Sequence, residues 1–219
     1  MKKGIALILA GASAAAFAAP AMAQSADFTG PRVEAIVGYD TSRPGSSTDI
    51  DNAEDIDQSV DGVTYGVGVG YDFAVGGMIL GLEGEWTESS AQSDYDTTDF
   101  TTFGVENVEV GRDFYVGARV GAEIVPGTLL YAKGGYTNAR YNILATDNST
   151  DVDSDIDLDG WRVGLGIEEK LSDNIYAKVE YRYSNYEEGE VEAPSGLESD
   201  RFNVDIDRHQ VMAGLGVRF

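Results

Sequence analysis

The residues with the most chemical potential in this chain are one histidine and a long series of carboxylates. His209 is the only histidine, and Asp205, Asp207 and Arg208 stand just before it. An imidazole beside carboxylates can move protons, but hydrolysis also needs a nucleophile held against it and a group to stabilise the developing charge. Nothing in the sequence places such a nucleophile, so no catalytic residue and no enzyme activity are expected. His209 reads instead as an interfacial side chain. The carboxylates suggest a second chemistry. Asp-Ile-Asp occurs at 49–51, 55–57, 155–157 and 205–207, and Asp151, Asp153, Asp155, Asp157 and Asp159 share one parity. A strand through them would align five carboxylates on one outer face, with Asp205 and Asp207 forming a similar pair. Hard cations such as Ca²⁺ and Mg²⁺ favour oxygen ligands of this kind. The run Asp155-x-Asp157-x-Asp159-Gly160 opens like a helix-loop-helix calcium loop, yet its twelfth position is Gly166 where a glutamate is needed. Weak surface contacts with Ca or Mg, bridging to anionic glycolipid, are therefore the sharper reading, and a solvated repulsive surface is the plainer one. No firm metal site and no cofactor are expected.

A third group of charged residues alternates with apolar ones. Arg32, Arg119, Lys133, Arg162, Lys178, Arg182 and Arg218, with Glu34, Glu83, Glu85, Asp113, Glu123, Glu168 and Glu180, each fall on the polar parity of their own run, seven of each sign. The elements that must position them are strands. From Pro31, Val33, Ala35, Val37 and Tyr39 alternate with Arg32, Glu34, Ile36, Gly38 and Asp40. Val63 to Phe73 repeats the pattern with Gly66, Gly68, Gly70 and Asp72 on the other face. Alternation of period two over such lengths specifies strands. Further runs around 78–87, 108–125, 130–136, 161–168 and 175–184 follow it, and the last, His209 to Phe219, puts Val211, Ala213, Leu215, Val217 and Phe219 on one side. Eight strands result. Short turns near 74–77, 126–127 and 172–174 alternate with four long acidic stretches at 41–61, 88–107, 142–158 and 187–207. Tyr131-Ala132-Lys133 recurs as Tyr176-Ala177-Lys178, as repeated hairpins of a meander would.

Composition sets the outer bounds. Met1-Lys2-Lys3, an apolar run from Ile5 to Phe17 and Ala21-Met22-Ala23 form a secretory signal, so residues 1–23 are read as removed and 24–219 as one barrel domain. The net charge is −23, and loss of Lys2 and Lys3 takes it to about −25, which repels nucleic acid. There is no Cys, so no disulfide holds an exported chain together. No later stretch approaches the roughly 20 apolar residues of a helical membrane span. Barrel strands escape that test because only alternate residues need be apolar.

Aromatic placement decides which face meets lipid. Tyr39, Tyr65, Trp86, Phe114, Tyr136, Trp161 and Tyr183 lie at the long-loop ends of their strands, and Tyr71, Phe73 and Phe219 at the short-turn ends. Two such girdles mark the two interfaces of a membrane. The fold class is then all-β: an eight-stranded antiparallel up-and-down transmembrane barrel, apolar outside and ionic within. Arg112, on the apolar parity near a loop end, would snorkel to head groups. The lumen of eight strands is just wide enough for side chains. Glu34, Glu83, Glu85, Arg119, Glu123, Lys133, Arg162, Lys178, Glu180, Arg182 and Arg218 are expected to fill it as a salt-bridge network.

The F-T-G-P-R-V-E-A-I-V-G-Y-D opening from Phe28, the L-Y-A-K-G-G-Y strand from Leu130 and the V-x-A-G-L-G-V-R-F ending resemble the small outer-membrane β-barrel family of Gram-negative bacteria, related to opacity proteins and to the barrel of outer membrane protein A. The resemblance implies export to the outer membrane and a monomer among lipid and surface glycolipid. It also implies that Phe219, as a terminal aromatic, is read by the barrel-assembly machinery. Some relatives continue into a cell-wall-binding domain, and that property is not carried over to a chain ending at Phe219. Three roles stay open: a structural or surface-interaction protein, a narrow porin-like channel, and an adhesin or receptor acting through its loops.

Overall fold

The computed structural model describes residues 28–44, 60–90, 92–94, 104–146, 151–192 and 201–219. The expected signal segment and the Asp-Ile-Asp repeats at 49–51 and 55–57 lie outside the described residues. Among the described residues there are nine strands: β1 Gly30–Pro44, β2 Val60–Val75, β3 Met78–Ser89, β4 Gln92–Asp94, β5 Gly104–Val125, β6 Thr128–Thr146, β7 Asp151–Lys170, β8 Ile175–Glu192 and β9 Phe202–Arg218. The short β4 pairs with β5 above the β3–β5 ladder, so β3 and β4 make one wall and the barrel has eight. All pairings are antiparallel between neighbours, and β1 with β9 closes the cylinder. Closure leaves the main-chain groups no unpaired sheet edge within the hydrocarbon, which a membrane demands.

Three tight connections lie at one end. Gly76, Gly77 and Gly127 take positive φ there. Gly30, also at positive φ, sits where the two ends of the barrel chain meet. A Cβ on it would lie 2.2 Å from the Phe219 carbonyl oxygen, and the Phe219 amide donates to Pro31 O at 3.0 Å. Only glycine lets the seam between β1 and β9 close so tightly.

The apolar and polar faces are arranged as in a membrane barrel. Leu82 and Leu165 are 64% and 62% exposed on the outside, whereas Arg182 inside is 0% exposed. Room for such large inward groups comes from cross-strand pairing with glycine. Arg32 faces Gly70, Lys178 faces Gly214, Tyr131 faces Gly166 and Tyr176 faces Gly216. A Cβ on Gly166 would lie 2.4 Å from the Tyr131 ring, and one on Gly216 would lie 2.3 Å from Tyr176. Each long inward side chain lies across a residue that has none.

The long acidic stretches differ from expectation. Residues 142–158 and 187–207 were expected as loops, but β6 runs to Thr146, β7 begins at Asp151, β8 runs to Glu192 and β9 begins at Phe202. β7 has 20 residues, about twice the 9–11 that a tilted strand needs to cross a bilayer. The upper part therefore stands in water, and its faces exchange character. Along β7, Arg162 and Glu168 point inward within the membrane, while Leu158 points inward above it. Ala139, Tyr141, Leu158 and Tyr186 form an apolar cluster there, joined by Ile156, Val204 and Ile206. The outward Asp157 and Asp159 are partly exposed and paired with polar partners.

Candidate functional site: a charge-balanced lumen

The alternation of β1 to β9 delivers 16 buried charged side chains to the interior among the described residues, eight basic and eight acidic. They fall into three layers. Nearest the short turns, Arg119 donates to Asp72 through Nε at 2.8 Å and Nη2 at 2.6 Å, and through Nη1 to Glu168 at 2.9 Å. Arg218 bridges the same two carboxylates, at 3.0 Å to Asp72 and 2.7 Å to Glu168. Two arginines and two acids thus close a ring across the barrel.

In the middle layer, Lys133 Nζ lies 2.9 Å from Glu83, 2.7 Å from Glu85 and 3.0 Å from Glu180. Lys178 donates to Glu34 at 2.6 Å, and Arg182 bridges Glu85 at 2.9 Å and Glu180. Arg32 links the layers by contacting Asp72, Glu34 and Glu83. Tyr131 and Tyr176 hydroxyls donate to Glu180 at 2.6 Å and to Glu34 at 2.8 Å. The Lys133 ammonium also sits 4.5 Å from the centre of the Tyr115 ring.

The outer layer centres on Asp113 and Asp40. Asp113 accepts from Arg162 at 2.5 Å, Arg208 at 2.8 Å and Thr137 at 2.8 Å. Asp40 accepts from Thr64 at 2.6 Å and Ser89 at 3.0 Å, and pairs with Arg208. Buried ions are costly unless paired and hydrogen-bonded. Here every one of them has a partner of opposite sign.

Apolar groups close both ends of this column. Phe28, fully buried, packs with Ile79, Leu129 and Tyr131 at the short-turn end, with the Arg218 guanidinium 5.6 Å from its ring centre. The Tyr141–Leu158–Tyr186 cluster lies over the outer layer. Burial pushes the Tyr141 phenol above its usual pKa, so it is neutral at physiological pH.

Ten of the eleven residues expected in the lumen are buried there: Glu34, Glu83, Glu85, Arg119, Lys133, Arg162, Lys178, Glu180, Arg182 and Arg218. Glu123 is not among them. A bulge at Glu123–Val125 turns it toward the Pro126–Gly127 turn, where it accepts from the Gly127 amide at 2.9 Å. Asp40, Asp72 and Arg208 join the network although sequence reasoning gave them no part in it. Their signal was present: Asp40 and Asp72 share the polar parity of β1 and β2, and Arg208 shares that of Arg218. Phe28 offered no such signal, since it precedes the first strand.

Among the expected girdle residues, Tyr39, Tyr65, Tyr71, Phe73, Trp86, Phe114, Tyr136, Trp161 and Phe219 are exposed on the outer wall. Tyr183 is half-buried, wedged between Trp161 and His209 with ring centres 5.4 and 5.2 Å away. His209 Nδ1 lies 2.7 Å from the Tyr181 hydroxyl, so it belongs to this outer aromatic row. Just above, Tyr136 and Asn138 donate to Asp159, and Tyr183 and Asn185 donate to Asp207 at 2.5 and 3.0 Å. Asp157 is shared by Arg112 at 3.3 Å and Arg140 at 2.7 Å. A bulge between Val110 and Asp113 accompanies the outward placement of Arg112, whose guanidinium also lies over Phe114. Arg201, outside the membrane, has its pKa raised first by a hydrogen bond to Glu188 and then by the Asp159 charge. The side chains of Asp151, Asp153, Asp155 and Asp205 lie outside the described residues. Among the described residues no cluster of three or more His, Cys, Asp or Glu side chains is arranged to hold a metal.

The family model for the outer membrane protein β-barrel domain matches residues 7–219. A 22 kDa outer membrane protein of Rhizobium leguminosarum bv. viciae is 31% identical over 160 residues, covering 71% of this chain and 68% of that protein. A 25 kDa outer-membrane immunogenic protein of Brucella canis is 29% identical over 154 residues, covering 70% and 64% respectively, so the match spans just under two thirds of the Brucella protein. Neisserial surface protein A superposes with a TM-score of 0.51 at 12% identity, covering 87% of this chain and 98% of that structure. At that identity the likeness concerns the fold alone.

Proposed function

The chain belongs to the outer membrane β-barrel domain family and resides in the Gram-negative outer membrane, and from that premise we propose that it is a structural and surface-presenting component of the envelope, with no channel and no catalytic activity. The observation that carries this reading is the packing of described side chains along the lumen, from Phe28 through three ionic layers to Tyr186. An ion crossing the barrel would have to displace charges already neutralised at hydrogen-bonding distance. Hydration of a moving ion would also have to survive two apolar plugs. Relatives with names that record only outer membrane location support a non-enzymatic role, and the immunogenic character in the name of the Brucella protein supports presentation at the surface.

The channel reading needs a continuous wet path. Planar-bilayer recording of the refolded protein at high salt decides between the two. The expected result is no unitary conductance, and reproducible steps that disappear on heat denaturation would make it a channel. Phe219 as an assembly signal, a monomeric state and weak Ca²⁺ or Mg²⁺ contacts along the outer aspartates belong to the same proposal. Thermal melting that is unchanged by millimolar calcium would remove the ion contacts from it.

A further inference from the structure

The lipid-facing wall is not uniform. On the face of β1–β2–β3 there is a groove of about 380 Å³, floored by Ala35 and Val67 and walled by Tyr65, Trp86 and Glu88. Its origin is local. Ala35 is the small member of an outward row whose neighbours are valines, with Val67 on one side and Leu215 on the other. Tyr65 and Trp86 stand up beside the dent. The size falls within the range of small-ligand sites.

The upper end of the groove is polar and carries one sign of charge. The Tyr65 hydroxyl donates to Glu88 at 3.4 Å. The residue opposite Glu88 on β5 is Arg112, but its guanidinium is directed to Asn138, Asp157 and the Phe114 ring. Among the described residues, Glu88 has no cationic partner.

We infer that this groove holds an acyl chain of a glycerophospholipid with an amine-bearing head, the chain lying over Ala35 and Val67 and the ammonium donating to the Glu88 carboxylate. The two halves of the site select for different parts of one molecule. The apolar floor takes hydrocarbon from any lipid, and the carboxylate, without a cationic partner among the described residues, favours an ammonium while repelling a head group with net negative charge.

The test uses the complete protein in lipid vesicles. The chain has two tryptophans, so a Trp161→Phe background leaves Trp86 as the reporter on the groove wall. Quenching of Trp86 is measured with brominated-chain phosphatidylethanolamine and with brominated-chain phosphatidylglycerol, each titrated into unlabelled phosphatidylcholine. Apparent association of the ethanolamine lipid should be tighter by about two- to fivefold, the ratio an exposed ion pair supplies. Glu88→Gln should abolish the preference while leaving quenching by both lipids. Ala35→Leu, which fills the floor, should weaken both equally. Equal quenching by the two heads in the Glu88 protein overturns the inference, as does a preference that survives Glu88→Gln. Protection of Trp86 from both lipids, with cross-linked dimers, would overturn it in favour of a second barrel as occupant.

Discussion

β6 and β7 each pass through two environments, and the contrast between their lower and upper parts is instructive. Within the bilayer β7 turns Val163, Leu165 and Ile167 outward and Arg162 and Glu168 inward. Above it the same strand turns Asp157 and Asp159 outward and Leu158 inward, and the β6–β7 register runs unbroken through the change. β6 behaves alike, with Lys133 and Thr137 inside below and Ala139 and Tyr141 inside above. No bulge reverses the side chains along this ladder. The solvent outside the wall reverses instead, between Asp159 and Trp161. One barrel is thus inside-out where it meets hydrocarbon and conventionally packed where it meets water. Alternation defines the wall, and the sign of the alternation records what lies beyond it.

The largest test of this comparison is removal of a lumen charge. Glu180→Leu leaves Lys133, Arg182 and the Tyr131 hydroxyl without a carboxylate they now share. Breaking a buried ionic cluster from one side costs about 3–5 kcal/mol, to be read from equilibrium unfolding by denaturant in lipid vesicles. A loss below about 1 kcal/mol, the value of a surface pair, would mean that water reaches the middle layer. The next effect probes the outer face. Leu165→Arg should cost about 2–4 kcal/mol, as a cation near the bilayer midplane does. Asp159→Arg, six residues up the same face, should cost far less because it remains in water. Equal costs for the two substitutions would move the membrane boundary away from Trp161.

Much of this was legible from sequence because a period of two is robust. The eight walls and ten of the lumen residues followed from parity, and the lipid-facing side from the two aromatic girdles. What parity could not supply was the depth at which a residue lies. Asp40 and Arg208 sit at strand ends that looked like loop margins, and only the register Arg208↔Ser42, two residues from Asp40, brings them together. Glu123 was displaced by a bulge, which breaks parity without any marker in composition, whereas Arg112 faces outward as its parity implied. Phe28 reaches the lumen through a turn before β1, where no periodicity exists. Parity placed Gly66, Gly68 and Gly70 on the face opposite the valines and gave them no further use. Their use emerges only when the pairing sets Gly166 beneath Tyr131 and Gly70 beneath Arg32. Local alternation is written in the chain, whereas cross-strand complementarity depends on register.

The smallest effect gives the finest discrimination between the two regions. Asp157 is bridged by Arg112 and Arg140, as many guanidinium groups as meet at Asp113 in the lumen. The two aspartates differ in surroundings: Asp157 is about 30% exposed and Asp113 about 1%. Asp157→Asn keeps the shape and one acceptor oxygen, while Arg112 retains Asn138 and the Phe114 ring. Its cost should be about 0–1 kcal/mol, as for exposed pairs. Because screening acts over about 8 Å at physiological ionic strength, that cost should shrink further in 1 M salt. Asp113→Asn should cost more and respond little to salt, since the counter-ions cannot enter. Unfolding of both variants at low and high salt measures the difference. A salt-insensitive loss at Asp157 comparable to that at Asp113 would show the upper wall to be as dry as the lumen, and the inversion at Trp161 would then need a cause other than a change of solvent.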